Sequence, residues 1–233
     1  MSNTVFDVLR KVTTATITTM LLKKGIRRCW MNGPKPLVAG GERVIGPAFT
    51  LRFVPVREDV ATPESWAHPV STRAAIEEMP EGAVAVADAM GVAGAGIFGD
   101  ILCARMKKRN VAALVTDGVL RDRAGVLMSA LPVWCSGVAA PASVNGLTFV
   151  GWQQPIGCGG CAIFPGDIIV ADDDGAVVIP QNLLEFVAHE GAEHELYESW
   201  VFSEVENGVK LPGLYPPNDD AKARYAAWRK SKA

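Results

Sequence analysis

The sequence predicts an α/β fold, and three observations carry that reading. Residues 82–116 run as strand, glycine loop, helix and strand (GAVAVADA, GAGIFGD, DILCARMKKRN, VAALVT), one βαβ unit with a parallel strand pair. From residue 147 the pattern changes to short strands and tight turns, LTFVGWQQPI and then CAIFPGDIIVADDDGAVVIP. Helical segments stand at both ends, over residues 4–23 and 181–207.

Each element has a local reason. The first helix closes at Gly25, after Lys23 and Lys24, as a glycine in the C′ position closes a helix. The punctuated connection MNGPKPLVAGGER leads into VIGPAFTLRFVPV, whose β-branched and aromatic residues predict a strand. REDVATPESWAHPVS is polar and reads as a loop, and TRAAIEEMP as a short helix stopped by Pro80. After Asp117-Gly118, VLRDRAGVLMSA reads as a turn and short helix before PVWCSGV. The Pro-rich end, KLPGLYPPNDDAKARYAAWRKSKA, reads as an extended tail that packs on a neighbour.

A chain of 233 residues, 49% apolar, can bury one sizeable core, so one domain over residues 1–233 is expected, with its core over about 25–185. The formal charge of -2 and the lack of a basic stripe argue against a nucleic-acid partner. No apolar run is long enough for a membrane span, and the N-terminus lacks a signal-peptide pattern, so the reading is soluble and cytoplasmic. Five cysteines, mostly in apolar segments, predict reduced, buried thiols. Cys158-Gly-Gly-Cys161 has no second ligand pair and is read as a turn, not a zinc site.

Gly94–Asp100 spells G-x-G-x-x-G, the dinucleotide fingerprint, and Asp117 stands where its ribose-binding acid belongs. Two features fit badly: Ala89–Ala93 separates the strand end from the glycines, and no further βαβ units follow. NAD binding is therefore the lesser reading. A helix opening after Gly99 would instead aim the free amides of Ile101 and Leu102 at an anion, with Asp100 either the N-cap or a carboxylate at the edge of that site. The parallel connection brings Arg121 and Asp122 to the same crevice. A guanidinium suits a carboxylate or enolate oxygen, and the carboxylate suits Mg²⁺ or Mn²⁺.

Taken together, GIFGDIL, VAALVTDGVLRD, PVWCSG and PGDIIVADDDGAVVIP resemble the class II pyruvate aldolases that cleave 4-hydroxy-4-methyl-2-oxoglutarate and 4-carboxy-4-hydroxy-2-oxoadipate, a superfamily that includes regulators of ribonuclease E activity. The resemblance covers roughly residues 45–185. It implies an αββα sandwich similar to the swivelling phosphohistidine domain, with a C-terminal helix and tail, assembled as a homotrimer or homohexamer. It implies that Asp122 ligates Mg²⁺, Mn²⁺ or another divalent cation, and that Asp100 orients or deprotonates a water on it. Arg121 would hold the pyruvyl oxygen, and Gly99, Ile101 and Leu102 would form the seat for the substrate carboxylate. A C-terminal acid is expected to reach a neighbour's site, with Glu193 the leading candidate and Glu195 and Glu198 beside it. The activity implied is retro-aldol cleavage of a 4-hydroxy-2-oxo dicarboxylic acid to pyruvate and a second oxo acid, with oxaloacetate decarboxylation as a side activity. The alternative is a non-catalytic regulator of a ribonuclease E-type enzyme, acting through a protein surface. His189-Glu-Gly-Ala-Glu-His194 spaces its histidines five apart, about 140° around a helix, and does not make the H-E-x-x-H zinc motif.

Overall fold

The computed structural model describes residues 3–232; residues 1, 2 and 233, within the expected single domain, lie outside the described residues. Two short helices open the chain, α1 (Asn3–Leu9) and α2 (Thr14–Lys23), followed by strands β1 (Lys35–Pro36) and β2 (Val44–Pro55). Helix α3 (Thr72–Glu78) precedes the central unit of β3 (Val84–Asp88), α4 (Asp100–Lys108) and β4 (Ala113–Thr116). Next come β5 (Val119–Leu120), α5 (Arg123–Met128), β6 (Val133–Cys135), β7 (Gly137–Val138) and β8 (Leu147–Trp152). The hairpin β9 (Ile168–Asp172) and β10 (Gly175–Ile179) leads into α6 (Leu184–Glu206) and α7 (Asp219–Lys232).

The layers form the expected αββα sandwich. The main sheet runs β1-β6-β4-β3-β2-β9-β10, with β8 also paired to β2. Strands β2, β3, β4 and β6 are parallel neighbours, whereas β9 and β8 join β2 antiparallel. The long β2 joins the layers by changing partner: it pairs β9 over Val44–Pro47 and β3 from Ala48 onward. Pro47, with no N–H to donate, stands at the change.

Alternation explains the two cores. Val84, Val86, Ala113, Val115 and Trp134 belong to one buried cluster with β9 and β10, which α2 and α6 cover from outside through Ile17, Met20, Leu21, Leu184 and Val187. Ala85, Ala87, Leu114, Val133 and Cys135 point the other way, onto Ile76, Cys103, Met106 and Val126 of α3, α4 and α5. A strand buried on both faces reads as a continuous apolar run, as β3 does.

Three expectations need correction. The helix over residues 4–23 is two helices, because Thr13 adopts extended backbone (φ -69°, ψ 154°) and its side chain caps α2 by accepting from the Thr16 amide. The C-terminal tail is not extended throughout: α7 folds back on α6 of the same chain, closing a small cluster of Trp200, Val201, Leu214 and Ala221 with Tyr197, Tyr225 and Trp228 around it. The connection before β2 contains β1, which pairs with β6. All five cysteines are buried free thiols. No helix among the described residues is long and apolar enough to cross a membrane.

Candidate active site

The site is assembled by the loop that looked like a nucleotide fingerprint. Residues 89–99 separate β3 from α4 and make no tight phosphate-binding turn. The loop instead runs alongside β5: the Ile97 amide donates to Val119 O (2.9 Å) and the Arg121 amide to Phe98 O (3.0 Å). Gly96 permits this approach, since a Cβ there would lie 2.8 Å from the Arg121 amide nitrogen. Gly96 therefore serves backbone-to-backbone packing, and this packing sets Gly99 and Asp100 beside Arg121 and Asp122.

One cleft of ≈ 210 Å³ is lined by Gly99, Asp100, Ile101 and Leu102 from the start of α4 and by Arg121 and Asp122 from the end of β5. Gly99, not Asp100, is the N-cap of α4, so Asp100 is the first helical residue. Its Oδ1 accepts from the Ile101 amide at 2.7 Å. That contact corrects the expectation of a free Ile101 donor: the Asp100 carboxylate covers it, and of the expected pair only the Leu102 amide is left without this cover. Asp100 lies against Gly125 of α5, where a Cβ would come within 2.5 Å of its own Cβ.

Asp122 is in the left-handed region (φ 54°, ψ 43°), which aspartate tolerates better than most residues, and it caps α5 with its backbone. Arg121 Nε donates to Asp122 Oδ2 at 3.0 Å, and both side chains are partly exposed in the cleft. Asp122 Oδ2 occupies the space that glycine leaves at position 99, 2.6 Å from where a Cβ would stand. Among the described residues no three His, Cys, Asp or Glu side chains converge as a metal cage. The cleft thus offers two hard carboxylates and no cage: Asp122, partly exposed and held by Arg121, and Asp100, which covers the Ile101 amide. That fits a divalent cation which keeps most of its waters, as Mg²⁺ does, and does not fit a closed Zn²⁺ site.

Glu193 is not in this cleft. It lies on α6, on the other face of the molecule's sheets, and is ion-paired with Arg229 of α7. Glu195 is engaged structurally, accepting from the Thr13 amide (2.7 Å) and hydroxyl (2.8 Å) at the start of α2. Glu198 accepts from the Tyr215 hydroxyl at 2.7 Å and faces His194 Nε2 at 3.2 Å.

Asp117, the would-be ribose ligand, is a structural tie. Its carboxylate accepts from the Ala89 amide (2.8 Å) and the Gly159 amide (3.1 Å), fastening the Cys158-Gly-Gly-Cys161 turn to the ends of β3 and β4. Burial raises its pKa, against the lowering effect of those two amides. Cys158 is fully enclosed, and burial together with Asp117 pushes its thiol well up, which makes it an inert packing group.

Sequence reasoning missed Trp66, Thr72, Arg73, Ala142 and Ser143, which line the same cleft. A tryptophan inside the polar stretch REDVATPESWAHPVS was the available signal.

A sequence profile of the RraA-like family, described as Aldolase/RraA, matches residues 11–178. A Halalkalibacterium halodurans protein provisionally named a 4-hydroxy-4-methyl-2-oxoglutarate aldolase is 33% identical over 169 residues, covering 70% of this chain and 74% of that protein. Protein DlpA of Legionella pneumophila is 31% identical over 177 residues, which are 76% of this chain but 28% of DlpA. The chain therefore spans just over a quarter of DlpA's length. Among solved structures, Streptomyces coelicolor RraAS2, described as an unusual member of the RNase ES inhibitor RraA protein family, superposes with a TM-score of 0.77 at 36% identity, covering 86% of this chain and 96% of that one. An uncharacterized Pseudomonas syringae protein matches equally well in fold (TM-score 0.77), at 26% identity over 91% of this chain and 96% of that one. That family holds both aldolases and ribonuclease inhibitors, and this chain belongs to it: it is a member of the RraA-like aldolase/RraA family.

Proposed function

We propose that the chain is a divalent-cation-dependent pyruvate aldolase, a lyase that splits a 4-hydroxy-2-oxo dicarboxylic acid into pyruvate and a second oxo acid. The observation that carries the reading is the convergence of Asp100, Arg121 and Asp122 on one cleft at the opening of α4. A surface used only to bind a protein has no need for two carboxylates and a guanidinium set around a concave pocket.

Asp122 holds the cation, which when bound supplies Lewis-acid polarisation of the 2-oxo group. Arg121 swings from Asp122 to the 2-oxo oxygen and stabilises the negative charge that develops there. The substrate C1 carboxylate docks at the N-terminus of α4, on the Leu102 amide and, once Asp100 turns away, on the Ile101 amide, against the backbone of Gly99. The turned Asp100 accepts the C4 hydroxyl proton through an oriented water as the C3–C4 bond breaks and its electron pair passes to the pyruvate enolate; the proton then returns by the same water to C3, giving pyruvate. The same stabilised enolate would follow loss of CO₂ from oxaloacetate, so decarboxylation accompanies the aldol reaction.

Assembly as a homotrimer or homohexamer belongs to this reading, because Glu193 completes a site only across a subunit boundary. To do so it must exchange Arg229 for the neighbour's cleft. The cytoplasm, where 2-oxo acids turn over, is the compartment that fits.

The likeness to RraAS2 favours a second reading, a regulator of a ribonuclease E-type enzyme. One assay separates the two. Purified protein is given oxaloacetate and 4-hydroxy-4-methyl-2-oxoglutarate, with Mg²⁺ and then with EDTA, and pyruvate is followed through a coupled dehydrogenase. Cation-dependent pyruvate supports the aldolase; its absence with both substrates removes that reading.

A further inference from the structure

We propose that Arg73, held against the ring of Trp66, binds the distal carboxylate of the substrate and makes the cleft selective for dicarboxylic over monocarboxylic 2-oxo acids. The inference rests on the aldolase reading of the same cleft and goes on to name what recognises the second end of the substrate.

Four observations carry it. Arg73 and Trp66 line the cleft together with Asp100, Arg121 and Asp122, so the pocket holds a second guanidinium supplied by a different element. The Arg73 guanidinium lies 4.9 Å from the centroid of the Trp66 ring, a cation–π arrangement that restrains a long side chain before any ligand arrives. Both partners stand on fixed backbone: Trp66 is in a tight turn over Pro63–Ala67, and α3 is capped by Ser71, whose hydroxyl accepts from the Ala74 amide at 3.3 Å. Finally, Arg73 is deprived of a protein carboxylate. Its helical neighbour one turn on, Glu77, is taken by Arg105 (2.7 Å) and Arg109 (3.3 Å), and among the described residues Arg73 forms no ion pair.

A positioned guanidinium without a protein carboxylate partner, lining the pocket in which the aldolase reading docks the C1 carboxylate, fits a second carboxylate on the ligand. Arginine's planar fork suits it for bidentate capture, which lysine cannot copy. Trp66 comes from the polar stretch REDVATPESWAHPVS, which thereby supplies the platform for this selectivity.

The test measures binding, so it does not depend on turnover. Calorimetric affinities of 2-oxoglutarate, a dicarboxylate without the 4-hydroxyl needed for cleavage, and of 2-oxobutanoate, its monocarboxylate counterpart, are taken with Mg²⁺ present. Wild type should prefer 2-oxoglutarate by about tenfold to a hundredfold, the strength of one charge-assisted contact. Arg73→Met should abolish the preference by weakening 2-oxoglutarate alone, and Arg73→Lys should restore only part of it. Equal preference in wild type and Arg73→Met, or no preference in wild type, overturns the proposal. A preference lost in Arg73→Met without any pyruvate formation would overturn the aldolase reading and leave this one standing. Turnover with an unchanged preference would do the reverse.

Discussion

Gly99 and Asp122 share one space: the Oδ2 of Asp122 lies 2.6 Å from the point where a Cβ on residue 99 would stand. The backbone of Gly99 is in the extended region, so alanine is conformationally acceptable there and the cost falls on the carboxylate. Gly99→Ala should therefore displace Asp122 while leaving the fold in place. We expect cation-dependent pyruvate formation to fall about a hundredfold with stability changed by less than about 1 kcal/mol. Steady-state kinetics beside a thermal melt checks both halves.

Asp122→Asn keeps a side chain that accepts the left-handed backbone and removes the charge that would hold the cation. The lost ion pair with Arg121 is partly exposed and is worth at most about 1 kcal/mol. Activity should drop at least about a hundredfold, in line with the several kcal/mol a catalytic cation provides. EDTA should reduce wild type to a comparable residual rate, and excess Mg²⁺ should rescue wild type alone.

Glu193 and Glu195 should behave oppositely. Glu195→Ala leaves Thr13 as the cap of α2 but removes the acceptor of its amide and hydroxyl, so it should cost about 1–2 kcal/mol of stability in urea titrations and spare turnover per folded molecule. Glu193→Gln loses only an ion pair with Arg229 and should melt like wild type, while its turnover falls if it serves the neighbouring protomer. Unchanged turnover in Glu193→Gln would remove it from the site.

Asp117→Ala should be the most damaging of the substitutions outside the cleft. It orphans the Ala89 and Gly159 amides and releases the turn that holds Cys158, which should cost about 2–4 kcal/mol. Urea unfolding reads the loss directly, and a thiol reagent should reach Cys158 in the variant faster than in wild type.

Asp172, the half-buried carboxyl among those that folding lowers, should contribute to the acid limb of the stability profile. Burial works to raise its pKa, but the hydroxyl and amide of Thr14, the Asp174 amide and the Arg43 guanidinium outweigh burial and hold it below 3.8. A carboxyl lowered by folding binds its proton more tightly in the unfolded chain. Its contribution is thus complete above the ordinary value and is lost as pH falls through the folded one. Wild type should lose stability steeply below about pH 4. Asp172→Asn should be weaker at pH 7 and should flatten that limb, as urea midpoints between pH 7 and 3 would show.

The residues that speak through local rules were legible. The β3–α4–β4 unit, the end of β3 at Asp88 and the β9–β10 hairpin follow from alternation, turn chemistry and apolar runs, which act between near neighbours. The approach of Asp100 to Arg121 and Asp122 was legible too, because a parallel βαβ connection leaves few places for the loops at the strand ends. What stayed hidden depended on distant partners. The break at Thr13 is stabilised by Glu195 and Asp172, neither of them near it in the chain. The return of α7 depends on aromatic residues scattered from Tyr197 to Trp228. Arg73 gave no local sign at all, since its interest lies in facing the cleft beside Trp66 while Glu77 is drawn away to α4.

By itself the sequence determined the class of the fold, the family, and the meeting of Asp100, Arg121 and Asp122 at the strand ends. Those depend on periodicity, turn residues and a short motif, all readable within a few positions. Only the tertiary structure decided that Gly96 serves a close packing of backbones and Gly99 makes room for Asp122, that Asp100 covers the Ile101 amide, and that Glu195 holds Thr13, the cap of α2. It also decided that Arg73 joins the cleft. The physical reason is common to all of these: an amide, a carboxylate or a guanidinium takes whichever partner the fold brings within about 3 Å, and the chain's own order does not record which one that is.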